Sequence, residues 1–139
     1  MNNALRGYRN QGLKEVVESA TPHALIQMMM GGVLDRLASA RGCMERGDIA
    51  GKGEQIGWAI SIIDGLRVSL DKPAGGELAE NLEQLYRYMM QRLLEANTRH
   101  ELAYLDEVAG LLRQIKSAWD AIPAELTSAR SRAELGAVS

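Results

Sequence analysis

Phenylalanine is absent from this 139-residue sequence, aromatic residues make up only 4% of it, and valine and threonine are few. Strand formers are therefore scarce. Leucine, alanine, glutamate, glutamine, arginine and methionine abound, so the expected fold class is all-α. Cys43 stands alone, which excludes an intrachain disulfide and any Cys-x-x-Cys metal or redox pair. Neither sign of charge dominates: 16 basic against 18 acidic side chains leave a formal net charge of −2. Duplex binders need a surplus of cations to displace counterions, so no nucleic-acid partner is expected. The first twenty residues hold no signal-peptide core. The longest run free of Asp, Glu, Lys and Arg, from Ser19 to Leu34, spans 16 residues and includes His23 and Gln27. That is too short and too polar to cross a bilayer. A cytoplasmic protein of one domain, without membrane insertion, is the expectation.

Four stretches carry helical periodicity, separated by Gly47, by Asp71 to Gly76, and by Asn97 to His100. Thr21-Pro22 offers an N-cap hydroxyl followed by proline at the first helical position. Ile26, Met30, Val33, Leu37, Ala40 and Met44 then follow on one stripe. Asp48 is placed to cap a second helix, about Ile49 to Leu70, with Ile56, Ala59, Ile60, Ile63, Leu66 and Leu70 as its stripe. The third, about Glu77 to Asn97, carries Leu78, Leu82, Leu85, Met89, Leu93 and Ala96. The fourth, about Glu101 to Ile122, carries Leu105, Val108, Leu112, Ile115, Trp119 and Ile122. Short connections between helices of such length imply an antiparallel up-down four-helix bundle over residues 21–122. Residues 1–20 form a weakly patterned N-terminal segment around Tyr8, and residues 123–139 are expected to be a mobile or marginally helical tail.

Catalytic and cofactor chemistry is hard to place on this chain. A di-iron bundle needs Glu-x-x-His pairs, yet Ala20 precedes His23 by three residues and Asn97 precedes His100 by three. No His-Glu-x-x-His or Cys-x-x-Cys-His motif occurs. Met28, Met29 and Met30 read as pliable core rather than metal ligands. Cys43 has no histidine obviously placed to activate it. Gly51-Lys52-Gly53 is too short for a phosphate-binding loop and reads as a loose helix start. His23 and His100 are expected in exposed or solvated turns. No catalytic residue, metal or cofactor is assigned, and the protein is not expected to be an enzyme.

Surplus apolar surface is the feature that remains. Beyond one stripe per helix, the chain carries Trp58, Ile62, Tyr86, Met90 and Leu94, with Tyr104 and Leu111 on the fourth helix. Methionine and aromatic residues on such flanks suit an adaptable groove that receives an amphipathic helix.

Several stretches carry a family likeness in order and spacing. They are Tyr8, Ala20-Thr21-Pro22-His23-Ala24-Leu25-Ile26, Gly47-Asp48-Ile49, and Gly65-Leu66-Arg67-Val68-Ser69-Leu70-Asp71. The most specific runs from Gly75-Gly76-Glu77-Leu78 through Asn81-Leu82-Glu83-Gln84-Leu85-Tyr86-Arg87-Tyr88-Met89, followed by Arg92-Leu93-Leu94-Glu95-Ala96-Asn97. Leu105-Asp106-Glu107-Val108 and Ala118-Trp119 complete it. From about Tyr8 to Ile122 the chain resembles the flagellar export chaperones that bind flagellin, the FliS family. It departs where the family usually has Leu-Tyr-Asp-Gly, carrying Met29-Met30-Gly31-Gly32 instead. Two adjacent glycines should cost that helix about 1 kcal/mol each relative to alanine.

The resemblance implies a non-catalytic cytosolic chaperone. It would bind the C-terminal segment of flagellin, prevent its premature polymerisation, and dock on the cytoplasmic domain of the flagellar export gate protein. Tyr8, Trp58, Ile62, Leu66, Tyr86, Met90, Leu94 and Tyr104 are the candidate client-binding residues. The segment around Tyr8 is expected to cover part of the groove until the client displaces it. A monomer or weak homodimer is expected. The competing reading is a helical adaptor whose apolar flank makes a homodimer; a four-helix cofactor carrier is a third.

Overall fold

Thr21 starts the first helix by local chemistry. Its Oγ1 accepts a hydrogen bond from the Ala24 N–H at 3.1 Å, and Pro22 occupies the first turn where no N–H is needed. In this computed structural model, which describes residues 21–123, that helix is α1 (Pro22–Arg46). The N-terminal segment with Tyr8 and the tail beyond Pro123 lie outside the described residues. Gly47 closes α1 in the left-handed region at φ 72°, where glycine carries no Cβ penalty. Asp48 then accepts from the Gly51 N–H at 2.9 Å and opens α2 (Ile49–Val68). Asp71 caps α3 (Lys72–Arg99) through the Ala74 N–H, and α4 (Leu102–Asp120) follows after His100.

Two boundaries differ from expectation. Asp71 to Gly76 is not a plain turn: Lys72 to Gly75 make one helical turn, joined to the rest of α3 across a kink at Gly76. The break at Asn97 to His100 moves to His100, left-handed at φ 54°, and Glu101, because α3 runs on through Arg99 and α4 starts at Leu102.

The helices form a closed ring in which α1 packs on α2 and α4, and α3 packs on the same two. Cross-helix bonds show the antiparallel sense. Gln27 meets Asp120 while Arg41 meets Asp106 across α1 and α4. This is the all-α up-down bundle that the periodicity requires. Met30, Val33, Leu37, Ile56, Ile63, Met89, Leu93, Leu105, Val108 and Leu112 form its core, each nearly or wholly removed from water.

On α3 the buried stripe is displaced from the expected one. Ala79, Glu83 and Tyr86 point inward with Met89, Leu93 and Ala96, whereas Leu82 and Leu85 are half-buried and Leu78 is 67% exposed. Stepping back from Met89 by threes and fours reaches either set, so periodicity alone leaves the two degenerate. Pairing of Glu83 with three cations accompanies the inward register. Tyr86, expected on a flank, is consequently core at 2% exposure.

Glycines 31 and 32 lie within α1, and neither is demanded by packing. An added Cβ at Gly31 meets nothing within 4 Å, and at Gly32 only ordinary contact with Ile62 at 3.6 Å. Gly31→Ala should therefore raise stability by about 0.4–1 kcal/mol. Ile63→Ala, emptying a fully buried site, should lower it by about 2–5 kcal/mol. Urea denaturation midpoints check both; a Gly31→Ala protein less stable than its parent would contradict the packing described.

Candidate functional site

Four helix ends meet at one end of the ring: the starts of α1 and α3 and the finishes of α2 and α4. The apolar stripes run on past the point where the helices close on one another, and a groove of about 610 Å³ opens there. Ile26, Leu70, Leu82, Ile115, Trp119 and Ile122 line it, with Met30, Leu66 and Tyr86 as the buried floor. Each of the first six stands where periodicity places core; the structure leaves them partly exposed. The sequence signal was thus present but read as interior.

Several polar groups around the groove have partners within the chain. Trp119 donates its Nε1–H to the His23 carbonyl at 3.0 Å, and the two rings stack at 4.9 Å with 9° between planes. His23 is thereby half-buried rather than solvated. Ser69 donates to the Leu66 carbonyl, and Asp71 accepts the cap bond from Ala74. Asp120 accepts from Gln27 and Lys116, and these bonds, that of Lys116 foremost, hold its carboxyl below the usual range. An occupant therefore finds apolar surface and few free hydrogen-bonding groups. A helix, which satisfies its own backbone, fits such a site better than an extended strand.

Glu83 holds the corner between α2 and α3 beside this groove. Its side chain is only 6% exposed and meets Lys72 Nζ at 2.6 Å, Arg87 at 3.3 Å and Arg67 at 3.4 Å. Arg67 also donates to Asp64 at 2.9 Å. The Lys72 hydrogen bond is the chief reason that the Glu83 carboxyl titrates below its ordinary range. A buried carboxylate so paired is expensive to orphan.

The remaining residues singled out in the sequence fall on separate faces. Trp58, 53% exposed, lies under the Arg36 guanidinium at 4.6 Å, on the α1–α2 face that Ile62 shares. Met90 lies one heptad from both Glu83 and Asn97, which reach α2, and Leu94 is exposed beside it. Tyr104 sits on the opposite α3–α4 face beneath Arg92 at 3.9 Å. There Glu107 accepts from Arg92 and from the Tyr88 hydroxyl. Of the candidate set, only Leu66 and Tyr86 reach the groove; Tyr8 is outside the described residues.

Sequence reading missed Lys52. It is 4% exposed at the far end of the bundle, donating to the Asn97 carbonyl at 3.0 Å and lying 3.1 Å from His100 Nδ1. Gly51-Lys52-Gly53 is thus a helix turn carrying an anchor, not a loose start. Among the described residues no group of three or more His, Cys, Asp or Glu side chains could hold a metal ion. Among them, too, no helix is long and apolar enough to cross a membrane.

A family model described as flagellar protein FliS matches residues 2–126. The flagellar secretion chaperone FliSB of Pseudomonas aeruginosa is 53% identical over 119 residues, covering 86% of this chain and 94% of that protein. The flagellar secretion chaperone FliS of Salmonella typhimurium is 43% identical over 129 residues, 92% of this chain and 96% of that one. Its Vibrio cholerae counterpart is 39% identical over 125 residues, 90% and 92% of the respective chains.

The Glu83 cluster sets a pH dependence. Because its folded-state pKa is lowered, ionised Glu83 stabilises the fold above the ordinary glutamate value of about 4.3. That contribution is lost as pH falls through the folded value. Glu83→Gln should be less stable than its parent at neutral pH and lose less on acidification, measured by urea denaturation at a series of pH values. Parallel stability–pH curves for the two proteins would contradict this role.

Proposed function

The chain belongs to the FliS family of flagellar export chaperones, and we propose that it binds the disordered C-terminal segment of flagellin in the cytosol. There it prevents premature polymerisation and delivers the client to the cytoplasmic domain of the flagellar type III export gate protein. The observation that carries this reading is the end groove: apolar walls over a largely apolar floor, with Ser69, Asp71 and Trp119 on its rim each making a hydrogen bond within the chain. Covering a client's self-associating apolar face removes the route to assembly by mass action. A segment that must fold to bind gives up ordering entropy, so a broad contact can still release at the gate.

The N-terminal segment enters the bundle at Thr21, and Pro22 and His23 immediately after it line the groove. That position supports a role for the segment around Tyr8 as a cover that the client displaces. Trp58 with Ile62, Met90 with Leu94, and Tyr104 lie on successive outer faces. They serve as further contacts for a client that wraps beyond the groove. The role is non-catalytic.

A synthetic peptide of the flagellin C-terminal segment from the same organism should bind one-to-one by calorimetry and gain helix by circular dichroism. Tyr8→Ala should tighten that binding several-fold, because a competing cover lowers the binding-competent fraction. No binding, together with a stable dimer in solution, would favour the homodimeric adaptor instead. Unchanged affinity in Tyr8→Ala would remove the covering role alone.

A further inference from the structure

One polar atom on the groove floor stands apart from those on the rim. Of the floor residues Met30, Leu66 and Tyr86, only Tyr86 carries a strong hydrogen-bonding group. The residue is 2% exposed, and a phenol so buried ordinarily finds a partner. The Tyr86 hydroxyl makes no hydrogen bond with any described residue, and burial without a compensating bond pushes its pKa up. It therefore stays protonated and able to donate. Among the described residues no side-chain nitrogen or oxygen is both sealed from solvent and without a partner. The hydroxyl must accordingly reach open space, and the space that Tyr86 borders is the groove. Ser69, Asp71 and Trp119 each make a hydrogen bond within the chain. The floor hydroxyl is left for water or for an occupant.

Given that the groove seats flagellin, we propose that the Tyr86 hydroxyl is a specificity determinant that bonds one uncharged polar side chain on the client helix. The chemistry of that side chain follows from its surroundings. A helix spends its backbone N–H and C=O groups on itself, so the bond must come from a side chain. A carboxylate or ammonium brought to the floor would lose its hydration against Met30, Leu66 and Ile115. The amide or hydroxyl of Asn, Gln, Ser or Thr loses far less and can accept the phenolic proton. A wholly apolar helix would strip water from the hydroxyl and return nothing, so the groove penalises it. Recognition thus has two parts: apolar side chains cover the walls, and one polar side chain among them satisfies the floor.

The test uses the full chain and the flagellin C-terminal peptide. Tyr86→Phe removes the hydroxyl and keeps the buried ring. The free variant should unfold at the urea midpoint of its parent or above it, because no bond within the chain is lost. It should nevertheless bind the peptide roughly tenfold more weakly by calorimetry. Each Asn, Gln, Ser and Thr of the peptide is then replaced in turn by alanine. One replacement should weaken binding to the parent by about tenfold and leave binding to Tyr86→Phe unchanged, which identifies the partner. Three results would each overturn the proposal while the chaperone reading stands: Tyr86→Phe binds as its parent does, Tyr86→Phe unfolds at a lower midpoint, or every peptide replacement costs both proteins alike. A parent that does not bind the peptide overturns both.

Discussion

A carboxylate taken out of water must be paired, and that constraint at Glu83 organises the grooved end of this bundle. The sequence of α3 permits two inward stripes, one of leucines and one containing Glu83 and Tyr86. Arg67 from α2, Lys72 from the preceding turn and Arg87 from α3 itself surround the carboxylate and make the second stripe tenable. With Glu83 inward, Leu78 swings into solvent and Leu82 stays only half-covered. Both then become walls of a groove rather than bricks of a core. The bundle gives up the tightest closure it could have had at this end and leaves apolar surface open.

The groove is therefore unfinished core. Its floor of Met30, Leu66 and Tyr86 is as dry as any interior, and its walls continue the same stripes. An amphipathic helix laid there, as the proposed function has it, would complete the packing that the four helices leave open. The far end is closed differently. Lys52 and His100 tie α2 to the last turn of α3, and Gly47 with Asp48 turns the chain tightly between α1 and α2. One end is fastened and the other left open.

Much of this was legible from residue order. Thr21-Pro22 and Gly47-Asp48 announce helix boundaries through side-chain chemistry that acts within a few residues, and both behave as written. The register of α3 was not legible, because choosing between two equal periodicities depends on Arg67, sixteen positions away from Glu83. Nor was the stacking of His23 on Trp119, which joins residues 96 apart. Lys52 was missed because its flanking glycines suggest a loose helix start. The site residues suffered most: apolar surplus locates candidates on helix flanks but cannot say which flanks converge, so Trp58 and Tyr104 were grouped although they lie on different faces. The departure at Met30-Gly31 now has a place. Met30 is buried on the groove floor, whereas Gly31 meets nothing.

If the end groove is where the client sits, Trp119 reports on it directly. Trp58→Phe leaves Trp119 as the sole tryptophan, partly exposed on the groove wall. Its fluorescence should shift to the blue as flagellin peptide is added and should saturate at one equivalent. Peptide binding confirmed by calorimetry with no change in Trp119 emission would place the client elsewhere on the bundle.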